Sequence, residues 1–269
     1  MERIELFNDH FQNYKKYGIP KAQLLIADIP YNVGINAYGS SPQWYKDGDN
    51  KNGESDLAGK AFFDTDENFK IPEFFHFCSR MIRKEPKERG KAPCMIVFCA
   101  FEQQHMLIEY GIKHGFPKYI NLVFRKNFSP QVLKANMRVV GNAEYALIFY
   151  RDKLPKFNNN GNRVFNVMDW PRDNETPKVH PTQKPVKLLE RLIEIFTDEN
   201  EVVIDPVAGS GVTLLAAKNM NRKGYGFEIK KNFFKESNEK ILTFSQPSLF
   251  CNDKKRNEYV VQKQELFSE

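Results

Sequence analysis

Uninterrupted apolar runs constrain the fold of this chain more than any other feature of its sequence. The clearest are LLIAD at residues 24–28, the run within APCMIVFCAF at residues 92–101, and EVVID at residues 201–205. A strand with one solvated face alternates apolar and polar residues, whereas a strand buried on both faces is apolar throughout. Segments with helical periodicity separate these runs. The alternation of strands and helices therefore predicts an α/β fold with a mostly parallel sheet.

Composition limits the class of protein. The chain has 269 residues, 41% of them hydrophobic, which is enough for one sizeable core. Its net charge of +6 suits a polyanionic partner. The N-terminus lacks the apolar segment of a signal peptide, and no apolar run approaches the ~20 residues of a membrane span, so we expect a soluble, cytoplasmic protein.

Cysteine and histidine spacing gives no sign of a metal site. The four cysteines, Cys78, Cys94, Cys99 and Cys251, form no CxxC pair, and the five histidines form no HxH or HxxxH pair. We therefore expect buried reduced thiols and no bound metal.

A glycine turn follows the strand that ends at Asp205. In the sequence DPVAGSG, residues 205–211, Gly209 and Gly211 let the backbone turn tightly before a helix whose N-terminus offers free N–H groups. The third glycine of the dinucleotide motif is replaced by Leu214, and the GK[ST] of a phosphate loop is absent. An acid before the turn would repel pyrophosphate but would suit a cationic amine, such as the methionine part of S-adenosylmethionine. Glu228, at the end of the next strand, suits ribose hydroxyls.

The same acids allow a second interpretation. Asp205 together with Glu228-Ile229-Lys230 imitates the D…ExK arrangement of metal-dependent nucleases, which hold Mg²⁺ with clustered carboxylates. A glycine turn and an apolar helix between the two acids fit that arrangement poorly, so the nuclease is the weaker hypothesis.

The tetrad Asp28-Ile29-Pro30-Tyr31 ends another apolar strand. An exocyclic base amine is a poor nucleophile, because its lone pair is delocalised into the ring. Acceptors for its two N–H groups would aim that lone pair at a methyl donor. The Asp28 carboxylate and the Ile29 carbonyl can be these acceptors, and Pro30 restricts Ile29 to an extended conformation. Tyr31 offers a ring on which an extruded base can stack.

These motifs resemble those of the beta-class DNA amino-methyltransferases, which use S-adenosylmethionine. DPVAGSG matches the family's DPFxGSG turn with Val207 in place of phenylalanine, HPTQKP at residues 180–185 matches the segment before it, and the tetrad comes first, as in that class. The resemblance implies a Rossmann-like fold with a mostly parallel seven-stranded sheet, flanking helices and circularly permuted motif order. It also implies one catalytic domain at residues 1–243 and a tail at 244–269.

The resemblance assigns roles to residues. The base-binding and catalytic set is Asp28, Ile29, Pro30 and Tyr31. The cofactor-binding set is Asp9, Asp28, Thr182, Lys184, Asp205, Pro206, Ala208, Gly209, Ser210, Gly211 and Glu228, with Asp9 at the adenine amine. Glu144, in a short family segment, is expected to be structural.

The implied activity is direct methyl transfer to adenine N6 in DNA after base flipping, in the setting of restriction and modification. Asp at the first tetrad position favours adenine N6, with cytosine N4 as the alternative. Ile29 stands where the family usually has proline, so a catalytically impaired DNA-binding member is a further alternative.

Partners follow from the same resemblance. DNA contacts are expected from residues 33–68 and 125–179, where basic and aromatic residues interleave: Trp44, Tyr45, Lys46, Arg125, Lys126, Arg138, Arg151, Lys153, Lys156, Arg163 and Trp170. A homodimer is also expected. Gln246-Pro247-Ser248-Leu249-Phe250 resembles the peptide that docks on bacterial sliding clamps, with packing of this tail on its own domain as the alternative.

Overall fold

The computed structural model describes residues 3–31, 69–127, 131–134, 139–180 and 182–245. The described strands are β1 (Ile4–Phe7), β2 (Leu24–Asp28), β3 (Cys94–Cys99), β4 (Lys118–Lys126), β5 (Gln131–Lys134), β6 (Val139–Gly141), β7 (Ala143–Tyr150), β8 (Val167–Trp170), β9 (Val202–Asp205) and β10 (Lys223–Phe227). The helices are α1 (Ile71–Met81), α2 (Gln104–Lys113), α3 (Val186–Phe196), α4 (Val212–Asn219) and α5 (Lys231–Glu236). Shorter 3₁₀ turns cover Phe11–Lys16 and Phe101–Gln103, and a π-helical turn covers Ser237–Ile241.

Eight of these strands form one sheet in the order β1-β10-β9-β2-β3-β7-β4-β8. Strand β7 is antiparallel to both of its neighbours, and the other described pairings of this sheet are parallel. The α/β class with a mostly parallel sheet and flanking helices is confirmed. The sheet has one strand more than the seven expected, because β8 adds to the edge of β4.

Alternate residues of the central strands bury opposite faces of the sheet. In β2, Leu25 and Ala27 pack with α1 on one face, while Leu24 and Ile26 pack with α3 on the other. All of these side chains are buried. Two-sided burial explains why the strand is apolar throughout, and it satisfies the requirement that a parallel sheet be covered by helices.

Two segments that read as irregular contain short strands. β8 lies within residues 152–179, and its four residues alternate between exposed and more buried positions, a pattern too short to identify from the sequence. β5 and β6 form a small antiparallel pair between β4 and β7. Of the two predicted DNA-recognition segments, residues 33–68 lie entirely outside the described residues, and residues 125–179 are described except for 128–130 and 135–138.

Three of the four cysteines, Cys78, Cys94 and Cys99, are buried and free, as expected. Among the described residues no helix is both long enough and apolar enough to cross a bilayer, and no three His, Cys, Asp or Glu side chains group as metal ligands would.

Candidate active site

Three acids meet at the carboxyl edge of the sheet. Asp28 ends β2, Asp205 ends β9, and Glu228 directly follows β10, and these three strands are adjacent and parallel. Their charges are close enough to interact, since Asp28 and Glu228 both help to raise the pKa of Asp205. Ligands of open α/β sheets bind at this edge. The structure thus brings the tetrad and the glycine turn together on one rim.

The glycine turn connects β9 to α4 in the conformation that glycine favours. Gly209 and Gly211 have φ angles of 53° and 77°. A Cβ atom added to Gly211 would come within 3.3 Å of Ser237 Cβ, whereas one added to Gly209 would meet, among the described residues, only His180 Cδ2, at 4.0 Å. Among the described residues, the turn is therefore tightly packed at Gly211 and less crowded at Gly209.

Asp205 is buried beneath this turn. Its Oδ1 accepts a hydrogen bond from the Val207 N–H at 3.0 Å, and the Thr213 side chain also bonds to it. Burial nevertheless raises the pKa of Asp205 to about 7, because no cation pairs with the carboxylate among the described residues. A buried acid in this state is a ready partner for a cationic group of a ligand.

Glu228 stabilises the glycine turn through hydrogen bonds to its carboxylate. Its carboxylate accepts hydrogen bonds from the Lys230 N–H, at 2.7 Å, and from the Gly209 N–H. Burial raises its pKa above the ordinary value. The Glu228 N–H in turn donates to the Phe7 carbonyl, which joins β1 to this edge.

Asp9 lies just beyond β1, and its carboxylate is hydrogen-bonded by residues that directly follow it in the chain. Its carboxylate accepts hydrogen bonds from the Asn13 amide at 2.6 Å, the Tyr17 hydroxyl at 2.7 Å and the His10 N–H at 2.7 Å. These bonds hold the pKa of Asp9 well below its usual range. In the structure Asp9 thus stabilises the 3₁₀ turn that follows it.

The HPTQKP segment folds over the glycine turn, with Pro181 outside the described residues. The His180 ring lies 4.6 Å from the Phe233 ring, and the Thr182 hydroxyl lies 3.0 Å from His180 Nδ1. Burial and the charges of neighbouring lysines lower the pKa of His180 to about 4, so its imidazole is neutral at neutral pH.

Lys184 reaches from this segment into the tetrad. Its Nζ lies 2.5 Å from Asp28 Oδ2, and only 6% of its side chain is exposed. The ammonium also lies over three aromatic rings, at 5.3–5.6 Å from their centroids: Tyr31, Phe98 and Trp170. Asp28 Oδ1 is buried and meets the distance and angle limits of a hydrogen bond with none of the described residues, while the Tyr31 hydroxyl lies near enough to the carboxylate to lower its pKa.

The other tetrad residues are fixed by the core and by one glutamine. The Ile29 side chain is 1% exposed and belongs to the hydrophobic core, so isoleucine is accommodated where the family usually has proline. The Gln103 amide donates to the Pro30 carbonyl at 2.8 Å and accepts from the Ala100 N–H at 3.0 Å. Gln103 belongs to no motif, so no pattern in the sequence indicates this role.

Tyr31 connects the tetrad to a second buried ion pair. Its hydroxyl donates to Glu144 Oε2 at 2.9 Å, and Glu144 Oε1 is bound by Lys126. Lys126 Nζ lies 4.9 Å from the centroid of Trp170. Burial acts to raise the pKa of Glu144, but Lys184, Lys126 and the hydrogen bonds outweigh it and lower the pKa.

The structure corrects the DNA-contact expectation for several residues. Trp170 is 6% exposed and Lys126 keeps 10% of its side chain exposed, so both border the tetrad and do not face solvent. Arg151 and Lys153 bind backbone carbonyls, and Lys156 pairs with an aspartate. The sequence could not indicate these contacts, because a basic residue at the end of a strand gives the same local pattern whether its side chain faces solvent or packs inside the protein.

Of the remaining residues predicted to contact DNA, two are exposed in the structure and the rest lie outside the described residues. Arg125 and Arg163 are exposed, and Arg125 pairs with Asp169. The others lie outside the described residues: Trp44, Tyr45, Lys46 and Arg138.

Comparison with protein families agrees with this geometry. The family model N6_N4_Mtase, described as DNA methylase, matches residues 22–239, which include the tetrad, HPTQKP and the glycine turn. The chain belongs to this DNA methylase family. The metal-nuclease hypothesis for Asp205 and Glu228 thereby loses its support.

Individual relatives match this chain either at low identity or over a short part of its length. Over 251 residues the chain is 26% identical to the DNA adenine methyltransferase YhdJ of Escherichia coli K12, covering 86% of this chain and 79% of YhdJ. It is 40% identical over 68 residues to the type II methyltransferase M.HpaI of Haemophilus parainfluenzae, covering 25% of this chain and 22% of M.HpaI. The match to Escherichia coli YubD covers 66% of that protein, so the chain matches less than two thirds of either YubD or M.HpaI.

Solved structures share the fold. A complex of M1.HpyAVI with SAM has a TM-score of 0.63 at 23% identity, covering 89% of this chain and 98% of the other. The cytosine-N4-specific PvuII DNA methyltransferase has a TM-score of 0.64 at 14% identity, covering 97% of this chain and 93% of the other. At these identities the comparison establishes the Rossmann-like methyltransferase fold alone.

Proposed function

We propose that this protein transfers a methyl group from S-adenosylmethionine to the exocyclic N6 of adenine in double-stranded DNA. The observation that carries the proposal is the position of the Asp28 carboxylate beside the glycine turn. A base amine held by Asp28 and a donor held by the turn would face each other across two neighbouring strands.

The residues of the glycine turn fit the cofactor. Asp205 is a buried acid without a cationic partner among the described residues, which suits an amino group. Glu228 suits the ribose, and no described atom lies closer than 4.0 Å to the position of a Cβ at Gly209, so the backbone there can approach a ligand. When bound, S-adenosylmethionine supplies an electrophilic methyl group. Thr182, Pro206, Ala208 and Ser210 complete the set, and Asp9 would reach the adenine end from beyond β1.

The tetrad fits a flipped base. Asp28 Oδ1 accepts no hydrogen bond of normal geometry from the part of the chain that the structure describes, the Ile29 carbonyl would be the second acceptor, and Gln103 fixes the peptide between Pro30 and Tyr31. The Tyr31 ring provides the stacking surface, a contact worth roughly 1–3 kcal/mol per base. The burial of Ile29 in the core supports an active enzyme over a catalytically impaired member.

Direct transfer fits the chemistry of Cys99, a described cysteine on which the charges of Asp28 and Glu144 act. Burial, together with the charges of Asp28 and Glu144, raises the pKa of Cys99 to about 12. Its thiol therefore stays protonated at neutral pH and cannot act as the nucleophile of a covalent mechanism.

The choice of adenine over cytosine rests on Asp28 at the first tetrad position and on the name of the relative YhdJ. The fold itself accommodates N4-cytosine chemistry, as the PvuII neighbour shows. Cytosine N4 is thus the second candidate target.

One experiment tests the function and the target together. Purified protein is incubated with unmethylated DNA and radiolabelled S-adenosylmethionine, and the DNA is digested to nucleosides. We expect label in N6-methyladenine, with Asp28→Ala inactive but still able to bind cofactor. Label in N4-methylcytosine would move the target to the second candidate. Absence of transfer by the wild-type protein would refute the proposal.

Three further proposals come from sequence resemblance. We propose a single catalytic domain at residues 1–243, homodimer formation, and clamp docking through Gln246–Phe250, which lies outside the described residues. Of the tail at 244–269, Phe244 and Ser245 are described, and Phe244 packs against the core. A pull-down with a sliding clamp, with and without Phe250→Ala, tests the docking segment.

A further inference from the structure

The tetrad is bordered by two buried ion pairs that share one aromatic wall. Asp28 pairs with Lys184, Glu144 pairs with Lys126, and both ammonium groups lie over the Trp170 ring. The side chains of both pairs range from 6% to 29% exposed. Neither Glu144 nor Lys126 belongs to the cofactor-binding set or to the base-binding set.

Stability alone gives a weak reason for such a pair. Removing two charges from water costs several kcal/mol per ion, and replacing a buried pair by apolar residues is often neutral or stabilising. The Glu144 pair differs from an ordinary buried ion pair because it also binds the hydroxyl of Tyr31. Glu144 Oε2 accepts from the Tyr31 hydroxyl at 2.9 Å, while Lys126 occupies Oε1.

The strands that carry this pair fix it rigidly. Glu144 and Lys126 lie on the antiparallel strands β7 and β4, whose register pairs Phe124 with Glu144. The Lys126 N–H donates to the Asn142 carbonyl at 2.7 Å, and Lys126 is the register partner of Trp170. The acceptor for Tyr31 is therefore set by the sheet and does not depend on a loop.

We propose that Glu144, held by Lys126, is a positioning residue that fixes the axis of the Tyr31 ring for stacking on the flipped base. A Tyr side chain anchored at Cα alone can rotate about two torsions. Because the hydroxyl oxygen lies on the axis of the second torsion, anchoring it fixes the first torsion and with it the orientation of the ring axis. Since methyl transfer requires near-attack geometry, loss of that orientation lowers the rate of the chemical step. This inference rests on the proposed function.

The test separates positioning from stability. Tyr31→Phe keeps the ring and removes the anchor, so kcat should fall about tenfold with little change in Tm or in cofactor affinity. Glu144→Gln keeps an acceptor for Tyr31 and removes the ion pair, so Tm should fall while kcat stays within about threefold. A merely structural role for Glu144 would leave the kcat of Tyr31→Phe at the wild-type value, so the kcat of that variant distinguishes the two roles.

A double-mutant cycle gives the second readout. The Tyr31 hydroxyl also acts on Asp28, so Tyr31→Phe removes more than the Glu144 contact. Tyr31→Phe combined with Glu144→Ala should therefore lower kcat no further than Tyr31→Phe alone. If Glu144→Ala does not fold, Lys126→Met with Glu144→Leu removes both charges at similar volume, and this variant should match Tyr31→Phe. Glu201→Gln is the matched control, because Glu201 pairs with Arg83 before the amino end of β9; its kcat should equal that of wild type.

The outcomes are distinct. Additive losses, or a Tyr31→Phe variant with wild-type kcat, would overturn the positioning role while leaving the proposed function standing. A wild-type protein that transfers no methyl group to DNA would refute the proposed function, and the positioning role with it.

Discussion

Lys184 Nζ lies 2.5 Å from Asp28 Oδ2, although 156 residues separate the two in sequence. The contact joins the HPTQKP segment to the tetrad, and it places a buried ammonium at the acid proposed to hold the target amine. Burial raises the pKa of Asp28, and Lys184 acts against this rise. Lys184 therefore helps to keep Asp28 ionised, which is the form that accepts hydrogen bonds.

Lys184→Met should shift the pH dependence of catalysis. Without the ammonium, the pKa of Asp28 rises further, so the acid limb of kcat/KM should move to higher pH. Steady-state methyl transfer measured from pH 5 to 10 checks this. Lys187→Met is the matched control, since Lys187 is on α3 with 62% of its side chain exposed. An unchanged acid limb in Lys184→Met would contradict the role.

Asp205→Asn should separate stability from cofactor binding. The pKa of Asp205 is about 7 in the folded protein against an ordinary 3.8, so the folded state binds more protons between these values. The contribution of Asp205 to stability is thus lost as pH rises from about 4 to 7.

Above pH 7 the ligand-free variant should therefore be more stable than wild type, by a few kcal/mol at most, with little difference near pH 4. It should also lose affinity for S-adenosylmethionine, because a neutral amide cannot pair with its amino group. Thermal unfolding across pH and calorimetric titration check the two parts. A stability difference independent of pH would show that burial does not govern Asp205.

Alanine at the two glycines should have different effects. Gly211→Ala adds a positive-φ side chain 3.3 Å from Ser237 Cβ, so it should lower the free energy of unfolding by about 2 kcal/mol. Gly209→Ala carries the φ strain, about 1 kcal/mol, without that crowding. Its methyl group enters the open space, so it should weaken cofactor binding more than Gly211→Ala does. Denaturant unfolding and cofactor titration of both variants measure these effects, and equal affinity losses would argue against the assignment of that space.

Gln103→Leu should lower both the stability of the protein and its kcat, because Gln103 fixes the Pro30 carbonyl of the tetrad. It leaves the Ala100 N–H and the Pro30 carbonyl without their partner, at a cost of about 1–3 kcal/mol in the free energy of unfolding, and kcat should fall. The adjacent Gln104 is a matched control, because its buried Nε2 makes no hydrogen bond within the described residues. Gln104→Leu should leave kcat and stability nearly unchanged. Comparable losses in the two variants would show that Gln103 does not act through Pro30.

The sequence by itself determined the central parallel strands and the edge at which the site lies. Runs such as LLIAD are typical of strands buried on both faces of a helix-covered parallel sheet, so Asp28 and Asp205 were expected at the same edge. The glycine turn was predictable for a similar reason, since its positive φ angles are local backbone requirements. Family membership followed from the order of the motifs.

Only the tertiary structure decided which side chains surround Tyr31. Glu144, Lys126 and Trp170 meet there because β7, β4 and β8 pair in one register, and register over long separations leaves no periodic signal in sequence. Gln103 is fixed by two backbone partners that share no motif with it. Local pattern therefore specified the strands and the acids at their ends, while the contacts that hold those acids depended on how distant strands align.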